Sequence, residues 1–489
     1  MFRKLLSLLS DTLTYGASSL IGQVLSFLLL PLYTRFLDPT QFGVIGMLII
    51  VTMLFGPLAN LGMTNAIFRR YSMSKDDEMR AAVLGTGLAS VIASSLVVLV
   101  IAVFAAEPIA QFIVGDVGTI NLVRLSLLSA AISTIGTVPR AMLRASRRVR
   151  AVGALNIAQV LFTTIPTIWF VVIQEQGVRG VVLGTLVGET LSTISSFFCT
   201  VGSFRVGFNR STWREMLSYG LPFVPHHLQA VALALFGQYM VREMLGFNQA
   251  GLFNIASKFA MPVVFVVTAV QNSWVAYKFQ IHAEDDDPKA FFRSTFTYYV
   301  AAITYLWVGV SLWGPEMVRL MTTDGFHQAA LLVWAVSLVP LAQGIYFMSG
   351  TGMELSDNTR PFPLISLAGL VTVVAGAYLL IPMIGALGAA LATVLGWAVM
   401  SVVMFYFARR RFAIEYDWAT IGCFVVLASV CVAVGSVLQH EPLVVRLLCA
   451  IGISLAYPLA SFVLLLRSRE ERHRMQILLT KFRLAPSSR

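Results

Sequence analysis

The stretch GVRGVVLGTLVGE (177–189) decides the fold, because it recurs 208 residues later as GALGAALATVLGW (385–397). Five residues of the first stretch have an identical partner in the second: Gly177, Gly180, Leu183, Thr185 and Gly188. The same offset places TQFG (40–43) on NQAG (248–251). A constant offset at separate places indicates that the chain contains two copies of one structural unit.

Both copies are built from apolar segments. Of the 489 residues, 57% are hydrophobic and only 12% are charged, which is too little charge for the surface of a soluble protein of this size. Apolar blocks of about 20 residues, the length that spans a bilayer, recur along the whole chain. The alternating segments of about ten residues that mark a membrane β-barrel are absent. The sequence therefore predicts an all-α polytopic membrane protein with about 14 transmembrane helices.

The predicted spans, numbered 1 to 14 in chain order, divide the chain into two lobes and a remainder. They lie near 8–36, 41–67, 81–104, 119–141, 151–173, 180–203, 217–241, 249–271, 291–313, 326–350, 361–381, 385–408, 414–438 and 443–466. Spans 1–6 form an N-lobe (1–208) and spans 7–12 a C-lobe (209–412). Because each lobe has an even number of spans, the two run the same way through the membrane, and we expect pseudo-symmetry with a central cavity between them. Spans 13 and 14 (413–466) are peripheral additions, and 467–489 is a basic cytoplasmic tail.

The net charge of +11 is explained by membrane topology. Of the 35 lysines and arginines, 28 fall in segments that the predicted topology places on one side of the membrane. Five fall in the opposite connections: Arg35, Arg179, Arg242, Arg319 and Arg446. Because basic residues mark cytoplasmic loops, both termini are predicted to be cytoplasmic. The basic character therefore does not indicate binding to nucleic acid.

No pattern in the sequence indicates an enzyme, a metal or a cofactor. The four cysteines lie in apolar segments and form no C-x-x-C pair. The sequence contains no Walker loop, no H-E-x-x-H and no G-x-S-x-G motif. A membrane-bound glycan polymerase or transferase would need catalytic residues in a large external loop, and the predicted topology leaves no such loop. We therefore predict no catalytic residues, no metal site and no cofactor.

Three stretches resemble one known family of membrane proteins. YG…PLYTRFLDPTQFG (15–43) resembles the first helix and loop of the polysaccharide, or O-antigen, flippases. AGLFNIASKFA (250–260) resembles their eighth helix, and GALGAALAT (385–393) their twelfth. These flippases belong to the multidrug/oligosaccharidyl-lipid/polysaccharide exporter superfamily. The resemblance covers nearly the whole chain, including the 6+6+2 organisation.

The resemblance implies a multi-pass protein of the bacterial inner membrane. Its substrate would be an undecaprenyl-pyrophosphate-linked oligosaccharide, flipped by alternating access for export of a cell-surface or secreted polysaccharide such as lipopolysaccharide or exopolysaccharide. Its expected partners are that lipid-linked oligosaccharide, membrane lipids, and the polysaccharide polymerase and chain-length machinery. Two alternatives remain open: a cation-coupled multidrug antiporter, which would favour acidic residues and an apolar cavity, and a lipid II flippase, which would favour a more cationic cavity.

Lys258 is the foremost candidate for binding the pyrophosphate. It lies about nine residues into span 8, roughly 13 Å from that end. A central lysine costs roughly 2.5–3.5 kcal/mol on insertion scales, so it is expected to face a partner or water. Asn254, one turn earlier, shares its face and is a candidate glycan contact. The alternative is that Asn254 and nearby carbonyls hold the lysine in a structural role.

Arg35 and Arg242 are the second pair of pyrophosphate candidates. They lie near the predicted outer ends of spans 1 and 7, the matching spans of the two lobes. The fork of a guanidinium fits phosphate geometry, so both are expected to line the outward mouth. Ordinary interfacial anchoring is the alternative for each.

Glu189, within span 6, is the candidate for ion coupling. A protonatable carboxylate beside a hydrated cavity can couple transport to protons. Polar stripes on span 6 and on span 5, which includes Gln159, accompany it. The alternative is a carboxylate paired with a basic residue such as Arg124.

Polar stripes also run along spans 1 and 7. Their periodicity predicts that these spans face the central cavity. The candidate cavity-lining or glycan-contact residues, besides Asn254, are Tyr15, Gln23, Tyr219 and His226.

Overall fold

The computed structural model describes residues 24–465 except 26, 75, 147, 202–206, 285–286, 356–360, 411 and 439–440. Within those residues every regular element is a helix and no strand occurs. The predicted all-α class is therefore confirmed. Span 1 is described only from residue 24 onward, and this part includes the helix Leu30–Phe36.

The helices follow the predicted order of spans 2 to 14. The first lobe contains Pro39–Asn60 with Met63–Met73, Asp77–Phe104, Ile120–Ala145, Val149–Ile168 with Trp169–Ile173, and Gly177–Phe198. Spans 7 and 8 contain Arg210–Gly220, Phe223–Phe259 and Met261–Glu284. The later spans are Pro288–Met321, Asp324–Leu332 with Val333–Ser349 and Thr351–Leu355, Phe362–Ile384, Ala386–Arg409, Trp418–Val437 and Leu443–Leu465. The short helices Ala106–Ile109 and Ala110–Val114 lie between spans 3 and 4.

The lengths and composition of these helices fit a bilayer. Within the described residues, 11 helices are long and apolar enough to cross a membrane, and 12 spans result when one bent pair is counted as a single span. The 11 coincide with predicted spans 2–6 and 9–14, and the bent pair belongs to spans 7 and 8. The polytopic architecture is thus confirmed, while most of span 1 lies outside the described residues.

Helix starts follow local capping chemistry. The Asp38 side chain accepts a hydrogen bond from the Gln41 backbone N–H at 2.8 Å, and the Gln41 side chain accepts one from the Asp38 N–H at 3.1 Å. Pro39 occupies the first helical position, where no intrahelical donor is needed. Asn209 caps the helix of span 7 in a similar way by accepting from the Thr212 N–H at 3.0 Å. These caps satisfy donors that a helix end would otherwise leave unpaired.

Three of the predicted spans are interrupted, two of them beside a proline. Span 2 ends at Asn60, because Leu61 and Gly62 adopt left-handed backbone angles. Span 7 is interrupted between Gly220 and Phe223, where Pro222 lacks a backbone donor. Span 8 is interrupted at Ala260, before Pro262. A further kink lies at Gly246, whose φ of 85° suits a glycine, and separates spans 7 and 8.

The repeat predicted from sequence is visible in helix packing. A β-carbon at Gly180 would lie 2.9 Å from the carbonyl oxygen of Phe170, and one at Gly388 would lie 2.5 Å from that of Leu380. Both glycines stand at the start of the last span of a lobe and let it approach the preceding span closely. The matching motifs in 177–189 and 385–397 therefore make the same kind of close contact between helices, as the predicted pseudo-symmetry requires.

The chain divides into two compact units. The first comprises Met1–Lys258, Met321–Gln328 and Val373–Thr393, and the second comprises the remainder. A cluster around Met63, Ile67 and Leu84 forms a core of the first unit. In the second unit, spans 13 and 14 pack onto span 9, where the buried Tyr457 hydroxyl lies 2.8 Å from the Thr304 hydroxyl. The lobe boundaries at 208 and 412 stay a prediction.

Candidate functional site

Lys258 lies at the end of a helix segment. The segment begins after the kink at Gly246 and ends at Phe259, so Lys258 occupies its last turn. The negative end of a helix dipole favours a cation at this position. This placement explains part of how an ammonium group is tolerated inside an apolar span.

The lysine is half-buried and has no hydrogen-bond or ion-pair partner among the described residues. Lys278, farther along the chain, differs: its side chain is 3% exposed and forms an ion pair with Glu354. Asn254, one turn before Lys258 on the same face, is buried. The alternative in which Asn254 holds the ammonium is not supported, because no hydrogen bond joins the two.

A second buried amide, Gln238, lies beside Asn254. Both face Gly46 of span 2: a β-carbon there would overlap the Gln238 Nε2 and lie 3.0 Å from the Asn254 Nδ2. The Gln238 Nε2 is buried and has no hydrogen-bond partner in the part of the chain that the structure describes. The absence of a side chain at Gly46 therefore makes room for two amide groups near the turn that carries Lys258. Amide N–H groups and an ammonium are donors only, so together they suit an anion.

Arg242 is not open to a ligand in this structure. Its guanidinium donates to the carbonyl oxygens of Phe112 and Ile113, each at 2.7 Å, and lies 2.7 Å from the Glu243 carboxylate. The side chain is 8% exposed, and the ring of Tyr239 lies 5.1 Å from its central carbon. Arg35, by contrast, is exposed. The structure does not bring the two arginines to one described site.

The predicted cavity-lining residues have different surroundings. Tyr219 lies under the guanidinium of Arg69, with 4.4 Å between the Arg69 central carbon and the ring, and contacts Phe223. Its ring is therefore engaged in packing at the interruption of span 7. Tyr15, Gln23 and the side chain of His226 lie outside the described residues.

Glu189 belongs to a polar network that joins spans 4, 5 and 6. The Gln159 amide donates to the Glu189 carboxylate at 2.9 Å, and the Gln159 oxygen accepts from Arg140 at 2.8 Å. Arg140 also donates to the Ser192 hydroxyl. The glutamate therefore faces a positive charge through one amide. Arg124, the partner suggested from sequence, is exposed and is not part of the network.

Sequence reasoning missed two members of these sites. Arg140 was not singled out from sequence, since it lies one residue before the predicted end of span 4 at 141, whereas the helix continues to Ala145 and places Arg140 in its interior. Because Arg140 lies less than one helical turn from the end of the apolar run, the sequence did not mark it as an interior residue. Gln238 gave no signal beyond being a polar residue in an apolar span. Among the described residues no group of three His, Cys, Asp or Glu side chains could hold a metal ion.

Comparison with known proteins identifies a family. The family model described as polysaccharide biosynthesis protein matches residues 8–282, which is more than half of the chain. No curated protein sequence matches the chain.

Solved structures with the same fold are transporters. An inward-facing multidrug resistance MATE family transporter of the MOP superfamily has a TM-score of 0.69 at 15% identity, covering 82% of this chain and 95% of its own. The lipid II flippase MurJ in an inward closed conformation has a TM-score of 0.67 at 14% identity, covering 92% and 98%. A MOP superfamily transporter from Pyrococcus furiosus, reported with a binding pocket of reverse polarity, has a TM-score of 0.61 at 16% identity, covering 85% and 96%. The chain therefore has the fold of these transporters.

Proposed function

The chain belongs to the polysaccharide biosynthesis protein family, and on that premise we propose that it is a flippase for undecaprenyl-pyrophosphate-linked oligosaccharide repeat units. The flippase acts by alternating access in the bacterial inner membrane and serves the export of a cell-surface or secreted polysaccharide. The fold shared with transporters, including a flippase, supports this proposal.

The observation that carries the proposal is the half-buried ammonium of Lys258, which has no partner among the described residues. A pyrophosphate drawn into a membrane protein needs positive charge and hydrogen-bond donors, because a low dielectric makes an uncompensated anion expensive. Lys258 supplies the charge, and the buried amides of Asn254 and Gln238 supply donors. The lipid tail stays in the bilayer, and the glycan needs a hydrated path.

The alternatives fit these residues less well. A multidrug antiporter for cationic compounds would be opposed by an unpaired ammonium, which repels a cation. A lipid II flippase shares the pyrophosphate but would favour a more cationic site. Arg242 is engaged with backbone carbonyls, so it would add charge only after those contacts separate.

We assign ion coupling to Glu189. Protonation would remove its negative charge and weaken its hydrogen bond from Gln159, which in turn orients Arg140. Because the three side chains come from different spans, a proton on Glu189 changes how spans 4, 5 and 6 are held together.

The proposal is tested with Lys258→Ala, Lys258→Arg and the control Lys289→Ala, which removes an exposed lysine. The purified variants are assayed for binding of undecaprenyl pyrophosphate, with undecaprenol as the lipid that lacks phosphate, and cells are assayed for surface polysaccharide. Lys258→Ala is expected to weaken pyrophosphate binding by about tenfold or more and to block export, because a charge-assisted contact is lost. Lys258→Arg and Lys289→Ala are expected to retain both.

Three outcomes would contradict the proposal. Normal binding and export by Lys258→Ala would remove the anion role. If the protein exports a cationic dye in a way that depends on Glu189 and does not bind undecaprenyl pyrophosphate, the antiporter function would be indicated. Preferential binding of lipid II over other lipid-linked oligosaccharides would indicate the lipid II flippase.

A further inference from the structure

The repeat-related segments TQFG (40–43) and NQAG (248–251) touch each other in the structure. A β-carbon at Gly43 would overlap the carbonyl oxygen of Phe247, and a β-carbon at Gly251 would overlap the carbonyl oxygen of Pro39. The β-carbon at Gly251 would also lie 3.0 Å from the Gly43 nitrogen. The helices of spans 2 and 8 therefore meet backbone against backbone in their first turns, a distance that only glycine allows.

This contact is reciprocal under the 208-residue repeat. Position 43 corresponds to 251, and position 39 corresponds to 247. Gly43 contacts Phe247, and Gly251 contacts Pro39, which is the residue that corresponds to Phe247 in the first copy. The residues before them also correspond: Asp38 caps span 2, and Gly246 forms the kink at which span 8 begins. Two related helix starts cross about a local two-fold axis.

A second pair of contacts obeys the same symmetry. The Thr34 hydroxyl donates to the Met321 carbonyl oxygen at 3.4 Å, and Arg242 donates to the Ile113 carbonyl oxygen at 2.7 Å. Position 34 corresponds to 242, and position 113 corresponds to 321. In each case the end of the first span of one predicted lobe bonds to the connection after the third span of the other. The symmetric partner of Arg242 is therefore Thr34, and Arg35 corresponds to Glu243.

Further contacts surround the crossing. The rings of Phe42 and Phe326 pack edge to face at 5.2 Å, and both side chains are buried. The Thr323 hydroxyl donates to the Thr34 carbonyl oxygen at 3.0 Å. All of these residues belong to the first compact unit. These contacts join residues of the two predicted lobes. They lie at the ends of the spans where the connections carry few basic residues, which is the predicted outer side.

The candidate anion site lies below this contact along the same helices. Counting from Gly251, Asn254 is one turn further and Lys258 two turns further, or about 10 Å at 1.5 Å per residue. On span 2 the corresponding positions are Gly46 and Ile50, and Ile50 is buried. A path from Lys258 to the outer surface along this face therefore has to pass the glycine contact.

We infer that Gly43, Gly251, Thr34 and Arg242 form the outer gate of the transporter, a two-fold closure that separates each time substrate leaves. We call this set the glycine closure. It goes beyond the proposed substrate, since it concerns which contacts open for any cargo. A methyl group on either glycine prevents the closure from forming and holds the gate open. Because the two glycine contacts belong to one closure, the second methyl group adds little to the first.

The test is cysteine accessibility, which requires no substrate. Cys199, Cys423, Cys431 and Cys449 are replaced by serine, and Ile50→Cys is introduced as a reporter below the closure. An impermeant maleimide is added outside right-side-out membrane vesicles. Gly43→Ala and Gly251→Ala are expected to increase labelling of the reporter several-fold, and the double variant is expected to label like either single one.

Gly56→Ala is the matched control, because Gly56 lies on the same helix as Gly43 with no atom within 4 Å of a β-carbon. It is expected to label like the parent. Gly207→Cys, on the predicted cytoplasmic side, must stay unlabelled in sealed vesicles. The inference is overturned when Gly43→Ala and Gly251→Ala label no faster than Gly56→Ala.

A second variant keeps the test valid if the alanine variants fail to fold. Thr34→Cys with Thr323→Cys places two thiols across the closure, where the Thr323 hydroxyl donates to the Thr34 carbonyl oxygen and the Thr34 hydroxyl donates to that of Met321. Oxidation of the pair is expected to abolish polysaccharide export, and a reductant is expected to restore it. Unchanged export after complete oxidation would show that the closure need not open. Failure of the proposed substrate would leave the labelling result unaffected, so the two ideas fail separately.

Discussion

At the scale of single residues, the main feature is a buried amide and a half-buried ammonium without acceptors among the described residues. Gln238 contributes a buried Nε2 that has no hydrogen-bond partner, and Lys258 contributes an ammonium with none among the described residues. A buried donor left unpaired destabilises a protein by about 1–3 kcal/mol, and for Gln238 and Lys258 we propose that a ligand supplies the missing acceptor. Lys258 was found from sequence because a charge in an apolar span is conspicuous. Gln238 was not, since its role depends on the space left by Gly46 on another helix.

The Gln238 amide is predicted to bind the substrate and to lower the stability of the folded protein. In Gln238→Leu, an unpaired donor is replaced by an apolar group of similar size. The melting temperature of the purified protein is expected to stay equal or rise, while binding of undecaprenyl pyrophosphate weakens by about tenfold.

Gln271→Leu is the matched control, because its Nε2 is also buried without a hydrogen-bond partner but lies past the break in span 8. It is expected to leave binding unchanged. A lower melting temperature with unchanged binding in Gln238→Leu would assign that amide to structure.

At the scale of elements, the chain from Arg140 through Gln159 to Glu189 links three spans of the N-lobe. The sequence predicted polar stripes on spans 5 and 6, and the structure places Gln159 and Glu189 on facing sides. The sequence suggested Arg124 as an example of a basic partner for Glu189, whereas the basic residue of the network is Arg140. The exact end of the helix in span 2 was not predicted, because hydropathy reports an apolar run and does not report the backbone angles of Leu61.

Removing Arg140 is predicted to destabilise the N-lobe. Arg140→Leu breaks hydrogen bonds to Gln159 and Ser192 and leaves Glu189 without a nearby positive charge, so a loss of about 1–3 kcal/mol is expected. Arg140→Leu combined with Glu189→Leu is expected to recover part of that loss, because no unpaired charge remains. Thermal unfolding of the purified variants measures both.

The comparison variant for Arg140 is Arg144→Leu, one turn further on the same helix and exposed. It is expected to change the melting temperature by little. If the double variant is less stable than Arg140→Leu alone, the network is not held by its charges.

At the scale of the whole molecule, the helical class and the order of the apolar spans were the properties that sequence predicted best. The 208-residue offset was recognised from motifs rich in glycine. In the structure, Gly180 and Gly388 of these motifs each contact the backbone of the preceding span closely. What the offset did not predict is that TQFG and NQAG contact each other. A repeat tells which residues correspond, whereas contact between corresponding segments depends on where the local two-fold axis passes.

The orientation of the chain in the membrane stays a prediction from its basic segments. Alkaline phosphatase, which folds only where disulfides form, is fused after Glu175 or after Phe208. The fusion after Glu175 is expected to be active and the fusion after Phe208 inactive, because only the second connection carries several arginines. A green fluorescent protein at the C-terminus is expected to fluoresce. The reverse pattern would place both termini outside.

The glycine contacts between spans 2 and 8 have a consequence for the environments in which the protein works. They consist of backbone atoms and carry no ionisable group. The strength of these contacts should therefore change little with pH or with ionic strength. Within the glycine closure, any response to ionic strength is therefore expected from the ion pair of Arg242 with Glu243 and not from the contacts of Gly43 and Gly251.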